Sequence, residues 1–239
     1  MNFPFQNKNK VGLSNAITRE KWLEKTLKAL PAGKRILDAG AGELQFKKFC
    51  THLDYVSQDF GKYESTISNV GLKPENWDNS KLDIVSDIIN IPVENNSFDI
   101  IMCTEVFEHL PAPILAIKEF TRILKPGGTL IITAPFCSLT HFAPYFFYTG
   151  FSKYFYEKHL VDHGFQIKEM TPNGNYFEYV AQELRRIPDV ALKYTDRKLG
   201  FFEKRRINKL LPLLEKLSNA DSSSSELLHF DFQVVAVKN

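Results

Sequence analysis

An open α/β sheet, mostly parallel and covered by helices on both faces, is the fold the sequence predicts, and three observations predict it. Short apolar runs alternate with helical patterns from residue 35 to residue 133, the order that builds crossover units and a parallel sheet. A tight glycine turn, Asp38-Ala39-Gly40-Ala41-Gly42, closes the first of those runs. The 239 residues, 44% apolar and 24% charged, suit one large domain of ordinary soluble composition.

The elements follow in order. Ile17, Leu23, Leu27 and Leu30 recur near helical spacing, with Ser14 or Asn15 as a cap and Pro31-Ala32-Gly33 as the stop, so residues 14–30 are expected to form a covering helix. Arg35-Ile36-Leu37 is a strand, followed by a helix expected near 43–51, then strands at Tyr55-Val56, Ile84-Val85 and Phe98–Met102. A helix at 112–124, apolar at Ile114, Ile117, Phe120, Ile123 and Leu124, ends at Lys125-Pro126-Gly127-Gly128 and leads into the strand Thr129–Thr133. A short helix, a strand at Gly164–Ile167 and a long basic helical stretch come next. Asp221 and four serines form a link, and Leu227–Val237 alternates as a last strand. The whole is read as one domain: a cap helix at 1–33, a core at 34–170, a basic helical insertion at 171–225 and the final strand at 226–239.

Several classes are excluded. No stretch approaches the roughly 18 apolar residues of a membrane-spanning helix, and Met1–Gln6 lacks the charged-then-apolar layout of a secretory signal, so a cytosolic protein is expected. Cys50, Cys103 and Cys137 are odd in number with no Cys-x-x-Cys pair, which supports neither disulfides nor structural zinc. Net charge is only +2, but residues 185–216 hold ten Lys or Arg against four acids, a local +6.

In open α/β sheets ligands bind beyond the carboxyl ends of the strands. Gly40 and Gly42 there lack the β-carbon that would hold a ligand off the backbone. A dinucleotide fingerprint would need a third glycine at position 45, where Gln45 stands, which favours a smaller adenosyl ligand over a nicotinamide cofactor. Four segments then occur in a telling order: LDAGAGE at 37–43, YVSQDF at 55–60, SDIINIPVENNSFDIIMCTEVFEHL at 86–110 and LKPGGTLIITAPF at 124–136. Together they resemble the class I S-adenosylmethionine-dependent methyltransferases, in the small-molecule, methyltransferase-type-11-like branch that includes the quinone-biosynthesis enzymes. The resemblance covers roughly residues 34–170 and implies a Rossmann-like sheet of seven strands. It also implies that Asp38, Gly40 and Gly42 surround the methionine part of S-adenosyl-L-methionine, that Asp59 holds the ribose diol, that Asp87 and the N–H of Ile88 meet the adenine, and that Thr104 lines the reacting end. A carboxylate suits a vicinal diol because its two oxygens accept from both hydroxyls.

Methyl transfer from a sulfonium is an in-line displacement, so the protein must chiefly align the acceptor; a base helps when the nucleophile is a hydroxyl. Glu105, Glu108 and His109 fall at i, i+3 and i+4, expected to share one face of a helical turn after the fourth strand. An E-x-x-E-H group of this kind resembles the divalent-metal site of some methyltransferases acting on vicinal hydroxyls, with His141 as a further ligand. In the other reading the two acids favour a helix N-terminus and His109 packs. Because Mg²⁺ prefers oxygen ligands and keeps several waters, the expectation is no metal. His141 and Glu105 are the candidates for the acceptor side, with His141, on the loop after the fifth strand, as base.

Ten of the 21 residues from Phe136 to Tyr156 are aromatic and only Lys153 is basic, a composition suited to a sugar or aromatic ring and unsuited to nucleic acid. The acceptor is therefore expected to be a small or carrier-linked molecule methylated on a hydroxyl, less readily an amine, with a glycan precursor first and a quinone-like ring second. The basic segment, which carries Phe201, Phe202 and several leucines, is a candidate surface for anionic lipid or an acidic carrier. The rival readings are a cofactor-binding regulatory subunit without catalysis and an RNA methyltransferase. Oligomeric state is not readable from the sequence.

Overall fold

The structure, a computed structural model, describes residues 9–61 and 79–239; residues 1–6, on which the absence of a secretory signal was read, lie outside them. The chain divides into two compact units, Lys21–Thr171 with Asp231–Asn239, and Met1–Glu20 with Pro172–Phe230.

The larger unit carries a seven-stranded sheet: β1 (Arg35–Ala39), β2 (Asp54–Asp59), β3 (Ile84–Val85), β4 (Phe98–Thr104), β5 (Leu124–Pro135), β6 (Phe165–Pro172) and β7 (Asp231–Lys238). The spatial order is β3-β2-β1-β4-β5-β7-β6. Strands β1 to β5 pair in parallel, and β7 runs antiparallel to β5. The order reverses at β1, so the crevice beyond the ends of β1 and β4 is where a ligand belongs.

Both faces are covered, which is why the strands read as near-continuous apolar runs. Successive strand residues point to opposite faces. Ile36, Ile100, Met102 and Ile131 pack under Leu23 and Leu27 of helix α1 (Asn15–Lys28). Leu37, Ile101, Cys103, Leu130, Ile132 and Val234 pack on the other face with Ala116, Ile117 and Phe120 of α2 (Pro113–Ile123) and Tyr156 and Leu160 of α3 (Lys153–Asp162). Each fully buried aliphatic or aromatic side chain contributes about 1.5–3 kcal/mol. Cys50 and Cys103 are buried and Cys137 half-buried, none of them in a disulfide.

Two elements depart from expectation. No α-helix follows the glycine turn; Leu44 takes a left-handed φ of 62°, which breaks a helix after its first turn, and only a 3-10 helix forms at Lys47–Phe49. Likewise β5 begins directly at Leu124, where α2 ends, and the Lys-Pro-Gly-Gly segment lies within it.

In the smaller unit α4 (Tyr176–Thr195) and α5 (Phe201–Ala220) form the basic insertion. Asn175 caps α4 through the N–H of Glu178, and Val11, Ala181 and Leu211 form a small core. The serines expected to form a link instead make a 3-10 helix at Ser224–Glu226, with Asp221 accepting from the N–H of Ser224. The last strand starts at Asp231 rather than 226.

Candidate functional site

The glycine turn sits between the ends of β1 and β2. The N–H groups of Gly40 and Ala41 both donate to the carbonyl of Gln58 at 2.8 and 2.9 Å, and Gly42 donates to Oδ2 of Asp59 at 2.9 Å. Gly40 has a φ of +80°, and a β-carbon there would come within 2.3 Å of the Val106 side chain, so glycine is required on both counts. Asp59 is buried, with its other oxygen accepting from Gly61 at 3.2 Å. Asp38 is buried too, its carboxyl taking a 2.5 Å hydrogen bond from the Tyr55 hydroxyl. Burial pushes Asp38 up to about 7, the Tyr55 bond opposes this, and Asp59 nearby adds to it.

Past β3, Asp87 is exposed and accepts from the N–H of Ile89, while Ile88 is buried in the core. This loop is tied down by a pair the sequence reading did not single out. Arg122 makes a two-pronged contact with Glu119 at 2.9 and 2.7 Å and donates to the carbonyls of Ile91 and Val93. Glu119 also accepts from the N–H of Ile91. An arginine and an acid three residues apart have the spacing of any helix-surface pair, so spacing alone does not single them out.

Beyond β4 the expected helical turn is absent. Glu105 has a φ of +55°, and a 3-10 helix at Phe107–His109 follows, so Glu105 parts from the other two. Its backbone N–H donates to the Thr133 carbonyl, and Oε1 accepts from the Thr133 hydroxyl at 3.0 Å. Thr104 ends β4, which runs two residues past the Met102 expected from the sequence; its hydroxyl is buried with no hydrogen-bond partner among the described residues.

Glu108, His109 and His141 converge instead, with one ligand atom from each lying within 4.8 Å of the others. Oε1 of Glu108 is 3.6 Å from Nε2 of His109 and 3.7 Å from Nε2 of His141. The opposite ring nitrogens face backbone carbonyls, Nδ1 of His109 on Tyr145 at 2.6 Å and Nδ1 of His141 on Leu139 at 2.8 Å. A carbonyl only accepts, so both Nδ1 atoms donate, and in the neutral form of each ring the lone pair sits on Nε2. Burial raises Glu108, with His141 opposing and Glu105 reinforcing the rise. His109 is lowered to about 4 by burial. Burial lowers His141 as well, but the Glu108 carboxylate and the Leu139 carbonyl outweigh it and leave His141 above its usual value.

The loop after β5 builds the wall. The N–H groups of Phe147 and Tyr148 donate to the carbonyl of Glu108 at 2.9 and 3.2 Å, which folds the loop back over the 3-10 helix. Phe142 lies 5.3 Å from the His109 ring, and Phe146 lies 5.1 Å from the His141 ring. Tyr156, read from the sequence only as one of the aromatics, is fully buried; its hydroxyl has no partner among the described residues, and burial with the nearby Glu105 and Glu108 holds it well above the usual phenol range.

This sheet, with the glycine turn and acid at its switch point, has the Rossmann-like α/β fold of solved methyltransferases. Residues 37–132 match the family model described as a methyltransferase domain. The ubiquinone biosynthesis O-methyltransferase of Aliivibrio fischeri (strain MJ11) is 30% identical over 100 residues, 40% of this chain and 42% of that protein. The chain thus matches less than half the length of this curated relative. A SAM-dependent methyltransferase from Archaeoglobus fulgidus superposes with a TM-score of 0.57 at 16% identity, covering 93% of this chain and 94% of that one. Phosphoethanolamine N-methyltransferase 2 of Haemonchus contortus, solved with S-adenosyl-L-methionine, gives 0.52 at 17% identity, covering 92% of this chain and 52% of that one. At these identities the two structures attest the fold.

Proposed function

We propose that this protein transfers the sulfonium methyl of S-adenosylmethionine to a hydroxyl of a small or carrier-linked acceptor, and that Glu108, His109 and His141 hold a divalent cation beside that hydroxyl. The observation that carries the reading is the convergence of two imidazole lone pairs on one buried carboxylate. At 3.6 and 3.7 Å the nitrogens are too far from Oε1 for hydrogen bonds, and Oε2 of Glu108 is buried with no hydrogen-bond partner among the described residues. A buried carboxylate left so is costly unless something else satisfies it. The carbonyls of Leu139 and Tyr145 orient the rings in the way that outer partners orient metal-bound histidines. Two imidazoles and one carboxylate suit Mn²⁺, Fe²⁺ or Zn²⁺ better than Mg²⁺, which removes the objection drawn from magnesium's taste for oxygen. When bound, such a cation acidifies a coordinated hydroxyl.

On the donor side, Asp59 is assigned to the ribose diol, Asp38, Gly40 and Gly42 to the methionine part, Asp87 and Ile88 to the adenine, and Thr104 to the reacting end. Glu105, braced by Thr133, is a positioning residue beneath the acceptor. The Phe142 and Phe146 rings beside the histidines favour a planar acceptor, a quinol-like ring over a glycan precursor. The hydroxyl specificity is supported by the name of the A. fischeri relative.

The test is transfer of labelled methyl to a panel of catechols, phenols and sugars before and after chelation. Activity lost on chelation and restored by Mn²⁺ is expected. Full turnover in metal-free protein would remove the cation, and cofactor binding without transfer to any acceptor would favour the regulatory alternative.

A further inference from the structure

Helix α5 presents a second apolar stripe that its own unit does not cover. At 3.6 residues per turn, Phe202, Leu210, Leu213 and Leu217 fall on one face, and all four are exposed, Phe202 at 74% and Leu213 at 53%. Phe201, at the start of the helix, is 72% exposed, with its ring edge-to-face against that of Phe202. The inward face is a different set, with Leu211 buried beside Leu214 against Val11 and Ala181. Arg205, Lys209 and Lys216 run along the edge of the exposed stripe, and none of them makes an ion pair among the described residues.

The two acids of α5 are both engaged away from that face. Glu203 caps the helix through the N–H of Gly200 and pairs with Arg197, and Glu215 accepts from Asn9 and from the N–H of Lys10. The outer face is therefore cationic and apolar at once. No described helix is long and apolar enough to cross a membrane.

We propose that α5 docks this protein on an anionic lipid bilayer, with Phe202, Leu210, Leu213 and Leu217 entering the boundary of the acyl chains and Arg205, Lys209 and Lys216 meeting the headgroups. Large apolar side chains with lysine and arginine beside them are the composition that lies in such an interface. A second copy is the poorer occupant, because two such faces would set like charges against each other with no acid free to separate them. A polyanion such as RNA would satisfy the cations but leave the leucines in water.

The full chain is mixed with vesicles of phosphatidylcholine alone, or with about one-third phosphatidylglycerol, and sedimented. Binding at least about tenfold stronger to the anionic vesicles is expected, from the attraction of several basic side chains to the surface potential, and it should weaken as salt shortens the screening length. Phe201→Ser with Phe202→Ser should release the protein while leaving its circular dichroism and melting temperature unchanged, since both rings are exposed. Lys209→Glu with Lys216→Glu should abolish the preference for anionic lipid. Equal binding to both vesicles, no binding to either, or unaltered binding by the phenylalanine variant would each overturn the proposal. So would a concentration-dependent dimer that the same variant dissolves in a protein that ignores lipid. Because the readout is binding, the result is independent of which acceptor is methylated.

Discussion

Nε2 of His141 stands 3.7 Å from Oε1 of Glu108, although the two residues come from different strand ends, His141 from the loop after β5 and Glu108 from the 3-10 helix after β4. The Nδ1–H of His141 donates to the carbonyl of Leu139, so the Nε2 edge faces the carboxylate. Glu108→Gln keeps the shape and removes the charge. Its affinity for Mn²⁺ should fall by about 10–100-fold, read by titration against the metal's paramagnetic signal. His141→Ala should reduce turnover by about 10²-fold. A histidine that merely braces the loop would leave metal affinity untouched in the His141 variant.

Asp59 offers a separate test on the donor side. Its Oδ2 holds the N–H of Gly42, so removing the side chain both loses the expected diol contact and loosens the glycine turn. Asp59→Ala should weaken S-adenosylmethionine binding by up to a few kcal/mol, the range for charge-assisted hydrogen bonds. Asp59→Asn keeps an acceptor for Gly42 and should fall between the two in calorimetry. An alanine variant that binds the cofactor like the parent would take Asp59 out of the site.

The parts of this molecule legible in the sequence are those whose position is fixed locally. Asp59 follows the second apolar run, and a residue at the end of a buried parallel strand must come out beside the glycine turn. Glu108 and His141 are different. Their meeting depends on Phe147 and Tyr148 donating to the carbonyl of Glu108, a tertiary closure with no trace in spacing. The i, i+3, i+4 pattern from Glu105 to His109 misled for a local reason: Glu105 takes φ +55°, a conformation that side-chain type does not announce for a glutamate. Leu44 hid the loss of the first helix in the same way.

Gly40 can be tested without any ligand. Alanine there meets two penalties, the left-handed φ of +80° and the Val106 side chain at 2.3 Å. The first costs roughly 1–2 kcal/mol, and overpacking adds about 1–3 kcal/mol. Val106→Ala in the same chain should relieve the second penalty and leave the first. A double-mutant cycle on thermal unfolding should therefore show positive coupling between the two sites, whereas strictly additive losses would mean that the backbone angle alone excludes alanine.

Asp38 makes stability depend on pH in a direction opposite to that of most carboxylates. Burial lifts it from 3.8 to about 7, so between those values the folded chain holds a proton that the unfolded chain has lost. By linkage, its contribution falls as pH rises through this window and is constant above it. At about 1.4 kcal/mol per pKa unit, the full span is roughly 4 kcal/mol. Asp38→Asn cannot ionise and still offers an oxygen to the Tyr55 hydroxyl, 2.5 Å away in the parent. The variant should gain stability over the parent as pH climbs from about 5 to about 8. Tryptophan fluorescence during melting reports on the relevant unit through Trp22, which packs beside the buried cluster of Leu23 and Leu27. A difference that stays flat over that range would place the Asp38 carboxyl in the ordinary acid range and remove the buried proton from β1.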